Sequence, residues 1–252
     1  MARLDICFYS CILKRDINFI LIYPSLACGN AGEYRENFYQ DNKENKFPLL
    51  LLFHGYGGNY MAYERFSKID MYAEENNIAV CMISGENKSY LNKGSSDNFS
   101  DFIETELKDY LYGNFNISPK KEDNFIAGLS MGGFGALYHG LSNPDAYAEI
   151  GAFSPGITMR RINKNKESTL KSLVIKNKNN SPRIYISCGE EDNIVKDEVE
   201  DFILFLKKKY IHFDYKWYKN YDHEWRLWDK EIENFIKKIK RTDYYKDSKK
   251  NV

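Results

Sequence analysis

Residues Asn124–Leu137, "NFIAGLSMGGFGAL", set four glycines and a single serine, Ser130, between two apolar runs. "NFIA" has the character of a buried β-strand, and "GGFGALYHGLSN" that of a helix. The pentapeptide Gly128–Gly132, "GLSMG", fits G-x-S-x-G at the junction between them. A serine on such a junction is held on a sharp turn with unfavourable backbone angles. Positions 128 and 132 then need to lack side chains so that the turn can close against its neighbours. The following helix aims its free N–H groups at the place where negative charge would develop. The competing readings are a glycine-rich turn with an incidental serine and a phosphate-binding loop. The G-x-G-x-x-G spacing and a P-loop lysine are both absent, which argues against the phosphate-binding loop.

Working outward, "FPLLLLFHG", "NIAVCMISG", "YAEIGAFSPG" and "PRIYISCG" are also continuous apolar runs that end in glycine. Continuous rather than alternating apolarity marks strands covered on both faces, as in a parallel sheet. Helical spacing lies between them, over Met61–Glu75, Phe99–Tyr112, Ile194–Lys209 and Trp225–Arg241. Two β-rich runs, Leu4–Lys14 and Asn18–Tyr23, precede this core and meet at a polar "KRD" turn, as antiparallel strands would. Residues 24–46 are polar and read as a loop. The expectation is one α/β domain over 1–252: a mostly parallel central sheet, antiparallel N-terminal strands and helices on both faces. A short, Lys/Asn-rich lid is expected at about 156–181 and a charged, frayed tail at about 242–252.

In such a sheet, chemistry sits at the C-terminal ends of the strands. There the sequence places "HGYGGN" after the first central strand, Ser130, "CGEEDN" and "DHEW". Serine, acid and histidine thus follow three strands in the order that belongs to the α/β-hydrolase arrangement. Of the four histidines, His223 lies in a loop before the last helix, where a general base belongs. His54 follows a buried strand and is expected to be a buried, hydrogen-bonded support of its loop. His139 is expected to pack or face solvent, and His212 falls in a strand-like stretch. Glu190, Glu191 and Asp192 compete as the orienting acid, with Asp222 an outsider because it adjoins His223. Asp192 is preferred: it is short and sits just before a helix, although an N-cap is its structural reading.

Composition bounds the rest. Apolar residues make up 43% of the 252, and the formal net charge is zero. No basic field is available for nucleic acid. No apolar run reaches the ~20 residues of a membrane span, and no signal peptide is visible. The five cysteines are odd in number and lack CxxC spacing, which points to free thiols in a cytoplasmic protein.

These blocks together resemble the esterase D branch of the α/β-hydrolases, most closely bacterial tributyrin and short-chain acetyl esterases. Feruloyl and acetylxylan esterases and S-formylglutathione hydrolases are wider relatives. The resemblance runs from "FYSCIL" through "LLLFHGYGGN", "FIAGLSMGGFGAL" and "CGEED" to "HEWRLWDKEIENF". It implies Ser130 as nucleophile, Asp192 as acid and His223 as base, with the backbone N–H groups of Tyr56 and Met131 as oxyanion donors. It implies hydrolysis of a small-molecule or saccharide acyl ester with no cofactor or metal; composition adds that no nucleic acid or membrane partner is expected, and a homo-oligomer stays open. Feruloyl esterase and S-formylglutathione thioesterase activities stay open as alternatives, with an acyltransferase or a non-catalytic binding module behind them. The residues that contact substrate are not identified. The tryptophan often found before the family's tyrosine is missing here, at Tyr90.

Overall fold

The computed structural model describes residues 1–25, 45–158 and 166–246. Eight strands form one sheet in the order β1-β2-β4-β3-β5-β6-β7-β8. They are β1 Ala2–Ser10, β2 Arg15–Tyr23, β3 Leu49–Phe53, β4 Ala79–Ile83, β5 Asn124–Leu129, β6 Glu149–Phe153, β7 Arg183–Gly189 and β8 Phe213–Tyr218. Only β2 opposes the others: it pairs antiparallel with β1 and β4, while β3 to β8 pair in parallel. The sheet is therefore mostly parallel with an antiparallel N-terminal edge, as expected.

The period-2 geometry of a strand explains the apolar runs. Leu49, Leu51 and Phe53 of β3 face one core, and Leu50 and Leu52 the other. The first core is covered by a helix at 99–114 (α3), by α4 Met131–Ser142, α5 Lys166–Lys176 and α6 Lys196–Lys208. The second is covered by α1 Ala62–Phe66, α2 Ile69–Glu75 and α7 Trp225–Lys238. With both faces covered, apolar side chains pointing either way lose water, so β3 to β6 need no polar alternation. The outer strand β1 alternates, with Arg3, Asp5 and Cys7 exposed. Charge along an edge discourages pairing with another chain.

Several boundaries differ from the sequence reading. The first turn spans residues 11–14, so Arg15 and Asp16 belong to β2. The carboxylate of Glu106 in α3 fixes this turn by accepting from Cys11 N–H at 2.7 Å and from Ile12 N–H. The helix expected over Met61–Glu75 is two helices, because Ser67 is extended and Asp229 of α7 captures the Lys68 N–H at 2.9 Å. The centre of α3, Phe102–Leu107, is π-helical. The last helix ends at Lys238. Beyond it, Arg241 pairs with Asp243 at 2.6 Å and Tyr245 stacks on Phe47 at 4.4 Å, so residues 242–246 are packed on the body rather than frayed. Residues 247–252 and most of the 24–46 loop lie outside the described residues. The 156–181 segment carries a helix, α5, whose Leu170 and Val174 are buried beside α4. Residues 159–165 of the proposed lid lie outside the described residues.

Candidate active site

Ser130 stands between β5 and α4 with φ 51° and ψ −116°, a conformation costly for a residue with a Cβ. Hydrogen bonds to the end of β6, to the loop after it and to the first turn of α4 hold it there. Its N–H donates to Phe153 O at 2.9 Å, and its carbonyl accepts from Phe134 N–H at 3.1 Å and Gly156 N–H at 3.0 Å. The glycines are required by space. A Cβ at 132 would lie 2.2 Å from Phe53 O, and one at 128 would lie 2.4 Å from Gly132 O. Backbone cannot yield to such overlaps without moving β3 or α4.

His223 reaches the serine from the loop between β8 and α7. Its Nε2 lies 3.0 Å from Ser130 Oγ, and its Nδ1 lies 2.7 Å from Asp192 Oδ2. The ring packs edge-on against Trp228, with centroids 4.9 Å apart. Asp192 is fully buried in the loop after β7. Its two oxygens divide the labour. Oδ2 faces His223, while Oδ1 accepts from Ile194 N–H at 3.0 Å and Val195 N–H at 3.1 Å, next to the start of α6. The capping role and the role toward histidine therefore coexist in one side chain. Burial raises its pKa, but the bond from His223 and those two N–H groups outweigh burial and hold the carboxyl below its usual range. Asp222 instead accepts the N–H of His223, at 2.7 Å. Glu191 is exposed; the backbone N–H groups of Glu190 and Glu191 donate to Tyr218 O and Tyr221 O, and neither residue lines the cleft over Ser130.

His54 at the end of β3 is buried. Its Nε2 accepts from Gly85 N–H at 2.9 Å, so the proton is on Nδ1, which donates to Gly55 O at 2.6 Å. Burial pushes its pKa down to about 4, against a smaller upward effect of the Gly55 carbonyl. The ring thus ties the β3 loop to the β4 loop, the supporting part expected of it. His139 is wholly buried rather than solvent-facing. Its nitrogens face Glu104 Oε1 at 2.6 Å and Tyr90 O at 2.8 Å. Tyr90 is also wholly buried and donates to His54 O at 3.0 Å, so it braces the first loop and is not positioned to touch substrate. His212 is exposed.

A cleft of about 590 Å³ opens over Ser130 and His223, lined also by Tyr56, Met131, Gly156, Thr158 and residues 192–198. Tyr56 is exposed and Met131 buried. Among the described residues, neither backbone N–H is taken up by an acceptor. Thr158 and Glu198 entered the cleft unannounced by the sequence; an acid in the first turn of α6 was the only available signal. Among the described residues no group of three or more His, Cys, Asp or Glu side chains is gathered as a metal would require, and no helix is long and apolar enough to cross a membrane.

Comparison with known proteins follows the same line. The family model described as "Esterase: Putative esterase" matches residues 31–240. An acetyl esterase of Caldicellulosiruptor saccharolyticus is 30% identical over 264 residues, covering 93% of this chain and 96% of that protein. The structure of fluorophosphonate-binding serine hydrolase F of Staphylococcus aureus matches with a TM-score of 0.79 at 24% identity, over 93% of this chain and 96% of that one. A ferulic acid esterase structure matches with a TM-score of 0.79 at 18% identity, over 95% and 99%. At these identities the two structures speak to the fold, which is that of the α/β-hydrolases.

Proposed function

The chain belongs to this esterase family and is a carboxylesterase, and from that premise we propose that it hydrolyses short-chain acyl esters, acetyl or similar, through an acyl-enzyme on Ser130. The observation that carries the reading is the continuous relay from Ser130 Oγ to His223 Nε2 at 3.0 Å and from His223 Nδ1 to Asp192 Oδ2 at 2.7 Å. Ser130 Oγ attacks the ester carbonyl as its proton passes to His223 Nε2. Asp192 holds the imidazole in the tautomer with hydrogen on Nδ1 and stabilises the imidazolium. The N–H groups of Tyr56 and Met131 receive the oxyanion, each worth roughly 3 kcal/mol in studied hydrolases. His223 then gives its proton to the departing alcohol. Water, deprotonated by the same nitrogen, attacks the acyl-serine and releases the acid.

The acyl preference is supported by the acetyl esterase relative. The alcohol is a small molecule or a saccharide. The free thiols of Cys81 and Cys188, both buried, are consistent with a reducing cytoplasm. The test is Ser130→Ala against acetyl through octanoyl chromogenic esters. Hydrolysis and labelling by a fluorophosphonate are expected to vanish while the circular dichroism spectrum is kept; retained turnover would refute the assignment.

A further inference from the structure

The cleft over Ser130 carries its charge unevenly. Its wall at 192–198 contributes three carboxylates, Asp192, Asp197 and Glu198, and one ammonium, Lys196. Asp192 is engaged with His223, and Lys196 turns Nζ to the carbonyl of Glu190 at 2.7 Å. Glu198 is half-buried and anchored. Its Oε2 accepts both the N–H of Thr158, at 2.9 Å, and the Thr158 hydroxyl. Thr158 lies in the loop after β6 and lines the same cleft. Oε1 has no partner among the described residues.

A carboxylate held through one oxygen keeps the other as an acceptor of fixed position. It binds an O–H or N–H donor and repels an anion, in a cleft where water screens less than in bulk. Glu198 and His223 line the same cleft. His223 returns its proton to the leaving oxygen, so the leaving group lies at His223.

We propose that Glu198 selects the alcohol: it favours a neutral alcohol with free hydroxyls, as in a partly acylated saccharide or polyol, and excludes an anionic one such as a glutathione thioester. This rests on the esterase reading of the cleft. Specificity here is a difference between transition states, so a contact that helps one alcohol and opposes another needs no change at Ser130.

Three acetyl donors that share the acyl group test it: glycerol monoacetate, ethyl acetate and S-acetylglutathione, with kcat/KM read as ratios to ethyl acetate. Ratios cancel any loss that a variant inflicts on all three. Glu198→Gln removes the charge but keeps an acceptor for Thr158, whereas Glu198→Ala removes both. In low salt, S-acetylglutathione is expected to gain about tenfold on ethyl acetate in either variant, an effect that shrinks at about 0.5 M salt. The glycerol monoacetate ratio is expected to fall about fivefold in Glu198→Ala and less in Glu198→Gln. Both ratios staying within about twofold of wild type, with ethyl acetate still hydrolysed, would overturn the role of Glu198 alone. Absence of hydrolysis of all three by the wild type would instead overturn the short-chain acyl-ester reading beneath it.

Discussion

Asp192 shows how one side chain can serve two ends. Its Oδ1 holds two N–H groups beside the start of α6, and its Oδ2 faces the imidazole. Replacement by asparagine separates the two. The amide oxygen keeps the bonds to Ile194 and Val195, and the amide nitrogen turns to His223 Nδ1. A donor there forces the proton onto Nε2, which then cannot accept from Ser130. Asp192→Asn is expected to lower kcat by about 10⁴-fold. Its urea midpoint should stay close to wild type. Damage from Glu191→Gln instead would show the acid to be misassigned.

Between elements, His54 is the joint that locks the end of β3 to the loop after β4. Its folded pKa, about 4, lies below the ordinary histidine value of 6.5. The unfolded chain therefore binds a proton at pH 5 that the folded chain refuses. The stabilisation is fully present above pH 6.5 and is lost as pH falls toward 4, reaching about 3 kcal/mol. Urea midpoints measured from pH 7 to 4.5 should decline, and His54→Gln should flatten that decline. Equal slopes in the two proteins would rule out His54 as its source. A second joint lies on the other face, where buried Glu231 of α7 accepts from the hydroxyls of Tyr185 at 2.6 Å and of Tyr218. It fastens the helix that follows His223 to β7 and β8.

At the scale of the molecule, one sheet with a core on each face runs from β1 to β8, and we propose that the chain is one cooperative domain. All three tryptophans, Trp217, Trp225 and Trp228, fall in β8 and α7. Their fluorescence thus reports the C-terminal edge, while far-ultraviolet dichroism reports the whole. The two denaturation curves are expected to coincide, and fluorescence loss at lower urea would divide the domain. The buried strands, their parallel direction and the serine turn were legible in the sequence, because burial on both faces and a crowded turn each restrict the residue types allowed. The break at Ser67 was not, since a hydrogen bond from a helix some 160 residues away causes it. Nor were the buried settings of His139 and Tyr90 or the ordered course of residues 242–246, all set by partners distant in the chain. By itself the sequence determined which residues could be nucleophile, base and acid, through their place after strands. Only the tertiary structure decided which carboxylate meets the imidazole and that Glu198 lines the cleft. Contacts among loops that are far apart in sequence follow from how the strands are ordered in space, and local patterning carries no record of that.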